Sequence, residues 1–368
     1  MRVLYAFFTV ALLVGCQQHK KQSESIPERS TTVSIEGENF HIDGQPTLQG
    51  VVWNGINMEG LLPNSRMVQG IFDDENPETA GKWAYPDTKV WSVDRNTDEF
   101  IVAMEQWYNH GLLAFTICLQ GGSPEGYSKS QPWENNAFNT DGSLRLEYMN
   151  RLDRILKRAD ELGMVAIVGL FYFGQDQRLA DEAAVKNATN NAINWLLGSG
   201  HRNLLIEIAN ECNNNAYDHE ILKAANIHEL IEQAKSLNQG GRRLLVGTSF
   251  NGNTLPSPNV VEVSDFILIH GNGVKQHERI TEMVSQVRAM PEFHPMPIVF
   301  NEDDHFDFEQ PMNNMIAAFA AHASWGYFDF RMDGEGFEDG YQSVPLDWGI
   351  NSARKKAFFE KLKEITGK

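Results

Sequence analysis

The run Leu204-Leu205-Ile206-Glu207-Ile208-Ala209 stops abruptly at Asn210-Glu211, and no other feature narrows the possible folds as far. An almost continuous apolar stretch of this length has no polar face, so it reads as a strand buried on both sides. Pro297-Ile298-Val299-Phe300 ends in the same way, at Asn301-Glu302. Two such strands, each delivering a glutamate at its carboxyl end, suit a (β/α)8 barrel, whose functional residues gather at that face. Paired carboxylates are also what cleavage of a glycosidic bond requires, one as acid and base and the other as nucleophile or base.

The rest of the chain alternates strand and helix in the same rhythm, which places it in the α/β class. Val33 to Ile42 reads as a short β-hairpin with Asp43-Gly44 as its turn signal. Leu48–Trp53 reads as the first barrel strand. Strands two to six follow at Leu112–Cys118, Met164–Phe171, Leu204–Ala209, Leu244–Thr248 and Phe266–His270, and the last two at Ile298–Phe300 and Gly326–Phe330. Asn96, with Glu99 three residues on, predicts a capped helix stopped by Gly111. Leu152, Ile155, Leu156, Ala159 and Leu162 recur at helical spacing before Gly163. No glycine-rich phosphate loop follows the first strand, so a nucleotide-binding open sheet is disfavoured. The intervals from Asn57 to Arg95 and from Gln120 to Asp141 read as long loops over the barrel mouth.

The amino terminus is set apart from the fold. Met1-Arg2 is followed by an apolar stretch, Val3 to Val14, too short to span a membrane comfortably. It closes on Leu13-Val14-Gly15-Cys16, which resembles the lipobox of bacterial lipoproteins. That resemblance implies cleavage before Cys16 and acylation of it. Residues 1–15 are then a signal peptide, 16–31 a polar tether and 32–368 one catalytic domain. The implied location is the bacterial cell envelope, and Gln17-Gln18 after Cys16 gives a mild preference for the outer membrane.

With 31 basic against 49 acidic residues, the net charge of −18 argues against nucleic acid and against a strongly polyanionic substrate. Beyond Cys16 only Cys118 and Cys212 remain; both follow expected strands at one face, so a disulfide is conceivable, but two free, half-buried thiols are the preferred expectation.

With Asn210-Glu211 closing strand four and Glu302 closing strand seven, the chain resembles clan A of the glycoside hydrolases. This group of retaining (β/α)8 enzymes includes the family 5 cellulases and mannanases. The resemblance covers Leu48 to Ile365. It implies that Glu211 is the acid/base, Glu302 the nucleophile, Asn210 a donor to the hydroxyl beside the reacting carbon, and His270 a residue that orients the nucleophile. No cofactor is implied. Many clan members end strand eight in a tryptophan that floors the sugar; here Trp325 stands at its start, leaving Phe330 or a loop aromatic for that task.

Other residues join the candidate site on their own chemistry. Flat rings stack on sugar faces, and Trp53, Trp83, Trp91, Trp133, Tyr127, Tyr172 and Phe173 fall at strand ends or in the long loops, Trp53 being the preferred platform. Gln120 and Gln175-Asp176 are polar partners for hydroxyls. Arg331 suits an acidic or sulfated sugar, or a salt bridge to Asp329 or Asp333. Glu207 is expected as a buried structural carboxylate. Two further readings stand beside a glycosidase acting on a carbohydrate. One is a surface lipoprotein that binds glycans without turnover. The other is a metal-assisted hydrolase using His270, Asp303, Asp304 and His305. Asp303 or Asp304 replaces Glu302 as nucleophile if strand seven ends later.

Overall fold

The computed structural model describes residues 30–368. The expected signal of residues 1–15, the expected acylation at Cys16 and the expected tether as far as residue 29 lie outside the described residues. Ser30 and Thr31 are docked on the domain: Thr31 is buried, and its backbone N–H donates to Asp160 Oδ1 at 2.8 Å.

Among the described residues three short antiparallel strands come first, β1 (Val33–Glu36), β2 (Asn39–Ile42) and β3 (Gln45–Pro46). The hairpin turn is Gly37-Glu38; Asp43-Gly44, expected there, instead turns β2 into β3. Val33 and Phe40 project from this small sheet onto Leu62, Val165, Leu205, Phe266 and Val299 at the amino ends of the barrel strands. The sheet is therefore an apolar plug for the end of the barrel opposite the candidate site.

Leu48–Trp53 is not a barrel strand. Val52–Trp53 (β4) pairs with Ile56–Asn57 (β5) in a two-residue hairpin outside the barrel. The first barrel strand is β6 (Asn64–Arg66), inside the interval expected to be a loop. All three of its residues are polar and buried, so a search for apolar runs passes over it.

Parallel strands β7 (Ala114–Cys118), β8 (Val165–Tyr172), β9 (Leu204–Asn210) and β10 (Leu245–Gly247) run on from β6 in one sheet, which β13 (Gly326–Tyr327) joins on the other side of β6. The remaining two, β11 (Ile267–His270) and β12 (Ile298–Glu302), pair with each other. Bridges Val299–Ser324 and Asp303–Tyr327 connect β12 to β13, and Asp265 N–H donates to Val246 at 2.9 Å between the β10 and β11 ends. The result is the expected (β/α)8 barrel.

Among the described residues eight α-helices pack around it: α1 (Val93–Asn109), α2 (Leu146–Leu162), α3 (Glu182–Gly198), α4 (Ile227–Ser236), α5 (Pro258–Val263), α6 (His277–Arg288), α7 (Asn314–Ala320) and α8 (Ala353–Thr366). Helix α1 starts one turn earlier than expected, because Ser92 rather than Asn96 caps it. Asn96 is buried in the helix and donates to the carbonyl of Gln69 at 2.8 Å. The long loops at the mouth are pinned together by Asp74, which accepts from Trp83 Nε1 at 2.7 Å and from Glu134 N–H at 2.9 Å.

Candidate active site

Arg66, at the carboxyl end of β6, is the hub of the barrel mouth. Its guanidinium is buried and reaches two other strands at once, β12 and β9: Nε lies 2.6 Å from Glu302, Nη1 3.3 Å from Glu207, and Nη2 donates to Asn210 Oδ1 at 2.6 Å. Burial opposes its charge, but Glu207 and Glu302 outweigh that and raise its pKa further. A guanidinium stays ionised in such a setting and presents its donors as a fixed fork. Glu207 also accepts from Asn301 Nδ2 at 3.2 Å and is wholly buried beneath the cleft, the structural role expected of it.

The two candidate glutamates reach the mouth through local departures from strand regularity. Side chains alternate between faces along a strand, which would separate Asn210 from Glu211 and Asn301 from Glu302. Glu211 takes φ 52°, a left-handed conformation uncommon outside glycine, asparagine and aspartate. In β12 the register shifts, so that Ile269 faces Phe300 but His270 faces Glu302. Asn301 is the extra residue of that bulge, and both it and Glu302 meet buried barrel partners.

Glu211, Glu302 and His270 converge: one carboxyl oxygen of each glutamate and a ring nitrogen of His270 all lie within 4.8 Å of one another. His270 Nδ1 is 3.0 Å from Glu211 and 3.8 Å from Glu302. The expectation that His270 orients Glu302 is thus corrected, since its direct hydrogen bond goes to Glu211. Asn272 takes that place, donating from Nδ2 to Glu302 Oε1 at 2.9 Å. The same Nδ2 lies 2.5 Å from the Tyr127 hydroxyl, which donates to Asp304 at 3.0 Å. Asn210 keeps its Nδ2 buried and unpartnered, the donor a sugar hydroxyl would need.

Burial dominates the protonation of this group and is resisted unequally. It pushes Glu302 up, and Arg66 and His270 reduce that rise without cancelling it. Burial pushes Glu211 up as well, but the His270 hydrogen bond, the imidazole charge and Arg66 bring it below its ordinary range. For His270 burial acts downward, and the two glutamates outweigh it, so its pKa is raised. Burial and charge thus favour the protonated forms of His270 and Glu302 over that of Glu211, and His270 stands one hydrogen bond from Glu211.

A cleft of about 400 Å³ opens over Glu211 and Glu302, walled by Tyr127, Tyr172, Phe173 and Phe328. Phe328, just beyond β13, rather than Phe330, is the aromatic that this end of the strand brings to the cleft. Trp53 does not face this cleft: its indole N–H donates to Glu364 of α8 at 3.2 Å, because the segment carrying it is the outer hairpin. Trp83 and Trp133 are buried and pack edge to face in the mouth loops, and Trp91 stacks on Tyr85. Gln120 is fully buried and bonded to Tyr172 N–H, Asn136 and the Gln175 carbonyl, so it anchors loops and has no group left for substrate. Gln175 and Asp176 likewise hold the backbones of Trp133 and of Asp218 and His219. Arg331 donates to the carbonyls of Gly336 at 2.7 Å and Pro345 at 2.5 Å, and Asp329 pairs with Arg354 instead. Cys118 and Cys212 are unpaired and more deeply buried than expected, with burial pushing the Cys118 thiol up to about 12.

Asp303, Asp304 and His305 stand close enough to share a cation. Asp303, however, is fully buried and accepts from Trp325 Nε1 at 2.8 Å, Asn314 Nδ2 at 3.0 Å and His305 Nδ1 at 2.6 Å. Its lone pairs are occupied by protein donors and it does not line the cleft over Glu211 and Glu302, which fits neither a metal ligand nor a nucleophile. Glu211, His270 and Glu302 are also a possible donor set. There the fixed cation of Arg66, 2.6 Å from Glu302, opposes a second positive charge.

No protein-family model and no curated protein matches the sequence. Solved structures do match. The chain is similar to the endo-1,4-β-mannanase from Rhizomucor miehei (TM-score 0.58, 12% identity, covering 91% of this chain and 99% of that one). It is also similar to a glycoside hydrolase family 5 enzyme from Prevotella bryantii B14 (TM-score 0.53, 13% identity, 83% and 96%). A third neighbour is a broad-specificity endoglucanase from Bacteroides salanitronis (TM-score 0.51, 12% identity, 83% and 93%). At such identities the fold is what is shared, and it is the (β/α)8 barrel of family 5 glycoside hydrolases.

Proposed function

We propose that the chain is a glycoside hydrolase that cleaves β-glycosidic bonds of a polysaccharide or its oligosaccharides with net retention. The observation that carries this reading is that one carboxyl oxygen of Glu211 and one of Glu302 lie within 4.8 Å of each other at the open end of the barrel, an approach that supports the closer of two known spacings. Carboxyls about 5–5.5 Å apart suit direct attack on the sugar, whereas inverting enzymes need roughly 6.5–9.5 Å to admit a water. Glu302, beside Arg66 and Asn272, attacks the anomeric carbon as the glycosidic bond breaks. Glu211 gives its proton to the departing oxygen, then takes one from the water that releases the sugar from Glu302.

The catalytic form carries one proton among Glu211, His270 and Glu302. In this reading His270, whose pKa the two glutamates raise, holds that proton in the free site. A sugar seated in the cleft removes water from Glu211, which favours its neutral form, and builds positive charge opposite Glu302, which favours the carboxylate. Both effects move the proton across the 3.0 Å His270–Glu211 bond to where acid catalysis needs it. The Asn210 Nδ2 donor supplies a bond to the hydroxyl next to the reacting carbon.

The mannanase and endoglucanase neighbours make β-mannan and β-glucan the first substrates to try. Hydrolysis of a panel of polysaccharides and aryl β-glycosides by the domain, begun ahead of Ser30, is to be compared with Glu211→Gln and Glu302→Gln. Each substitution is expected to lower kcat by about 10³-fold while the circular dichroism spectrum is unchanged. Glycan binding by the wild type without any turnover would overturn the enzymatic reading in favour of a binding lipoprotein. The anchor is part of the same proposal and rests on Leu13-Val14-Gly15-Cys16: acylation at Cys16 would hold the enzyme at the bacterial envelope, with the outer membrane preferred. Mass spectrometry of the mature amino terminus checks it, and an unmodified or absent Cys16 would refute it.

A further inference from the structure

The cleft does not end at the two glutamates. Ser128, Lys129, Gln131, Phe173 and Asn214 line both it and a neighbouring cavity of about 510 Å³, to which Arg178 also contributes. No carboxylate lines this second cavity, although the chain has 49 acidic residues against 31 basic ones. Arg178 donates from Nη2 to the Trp133 carbonyl at 3.3 Å, and its Nε is buried with no partner. Among the described residues neither Arg178 nor Lys129 has a carboxylate within 4.0 Å. A buried donor without a partner is costly, and a guanidinium fork with a nearby ammonium matches the oxygens of a carboxylate or sulfate.

We propose that this cavity is a subsite for a sugar unit bearing a carboxylate or a sulfate, seated along the glycan from the bond that is cleaved. The inference rests on the glycosidase reading and extends it to substrate class. It also moves anion recognition away from Arg331, whose guanidinium is engaged by loop carbonyls. One anionic unit in a locally basic cavity is compatible with the negative charge of the whole chain, which would repel a polyanion.

Binding of paired oligosaccharides to the Glu211→Gln protein tests it, using calorimetry. One member of each pair is neutral; the others carry a uronic acid or a sulfate ester on the same backbone. The acidic forms are expected to bind about tenfold more tightly, and the advantage should shrink as salt rises. Comparing the two acidic forms shows which anion is preferred. Arg178→Gln and Lys129→Gln should each erode the advantage. Lys129 makes no hydrogen bond or ion pair among the described residues, so its substitution leaves the fold intact where Arg178→Gln could disturb the Trp133 loop. Equal binding of neutral and acidic forms, or a preference that survives Lys129→Gln and Arg178→Gln alike, overturns the subsite alone. Failure to bind any glycan, with no turnover by the wild type, overturns the glycosidase reading along with it.

Discussion

At the scale of single residues the site is an economy of charge around Arg66. One guanidinium faces Glu207 and Glu302, both buried, and holds Asn210 in place. Arg66→Met removes the cation and leaves two buried carboxylates to repel each other. The expected cost is about 3–5 kcal/mol in urea unfolding, with loss of activity; a change under about 1 kcal/mol would show that the ion pairs are solvated. The pH dependence of kcat/KM follows from the one-proton cluster, whose titration belongs to the group as a whole. A second proton goes to Glu302, raised above its ordinary value of 4.5, so the acid limb lies above 4.5. The working proton is lost from His270, raised above its ordinary 6.5, so the alkaline limb lies above 6.5. His270→Asn leaves only carboxylates to hold that proton and should move the alkaline limb down; an unmoved limb would remove His270 from the proton inventory. Glu211 and Glu302 were legible in the sequence because each ends an apolar run. Arg66 was not, because it sits in a strand of three polar residues. His270 was found but given the wrong glutamate, since the β12 bulge that sets its neighbours has no sequence signature of its own.

At the scale of elements, apolar runs located seven of the eight barrel strands, and Gly163, in the left-handed conformation, ended α2 where expected. What failed was the start of the barrel. The apolar residues of 48–53 serve an outer hairpin and its packing, and the polar segment 64–66 does the work of a strand. Burial inside a barrel mouth rich in hydrogen-bond partners reverses the usual link between strand and apolar sequence. The amino-terminal sheet was legible as a hairpin, but its role as a plug was not, because that depends on where Phe40 lands. Its ring lies 6.4 Å from that of Phe266 and is fully buried. Phe40→Ala opens a cavity at the base of the barrel and is expected to cost about 3–5 kcal/mol. Activity at low temperature should be retained, because the carboxyl face is built from other residues. Chemical denaturation followed by tryptophan fluorescence measures the first and a rate assay the second; a loss below about 1 kcal/mol would show that the sheet only rests against the strands.

At the scale of the whole molecule, one barrel with long mouth loops divides the labour between its ends. The amino end is closed by the plug sheet, and the carboxyl end holds Arg66, Asn210, Glu211, His270, Asn272 and Glu302. The loop aromatics that the sequence offered as sugar platforms separate into two groups for the same reason. Trp83 and Trp133 are consumed in holding the mouth loops together, and Tyr127, Tyr172 and Phe173 are left to face the cleft. Residue type could not make that distinction, which depends on contacts between segments distant in sequence. Once the substrate panel has identified the sugar, the most direct measurement is to treat the enzyme with the matching 2-deoxy-2-fluoro β-glycoside, digest it, and map the trapped sugar by mass spectrometry. One sugar per chain, attached to Glu302, is expected. A label on Asp303 or Asp304, or turnover that inverts the anomeric centre with nothing trapped, would contradict the two-glutamate mechanism.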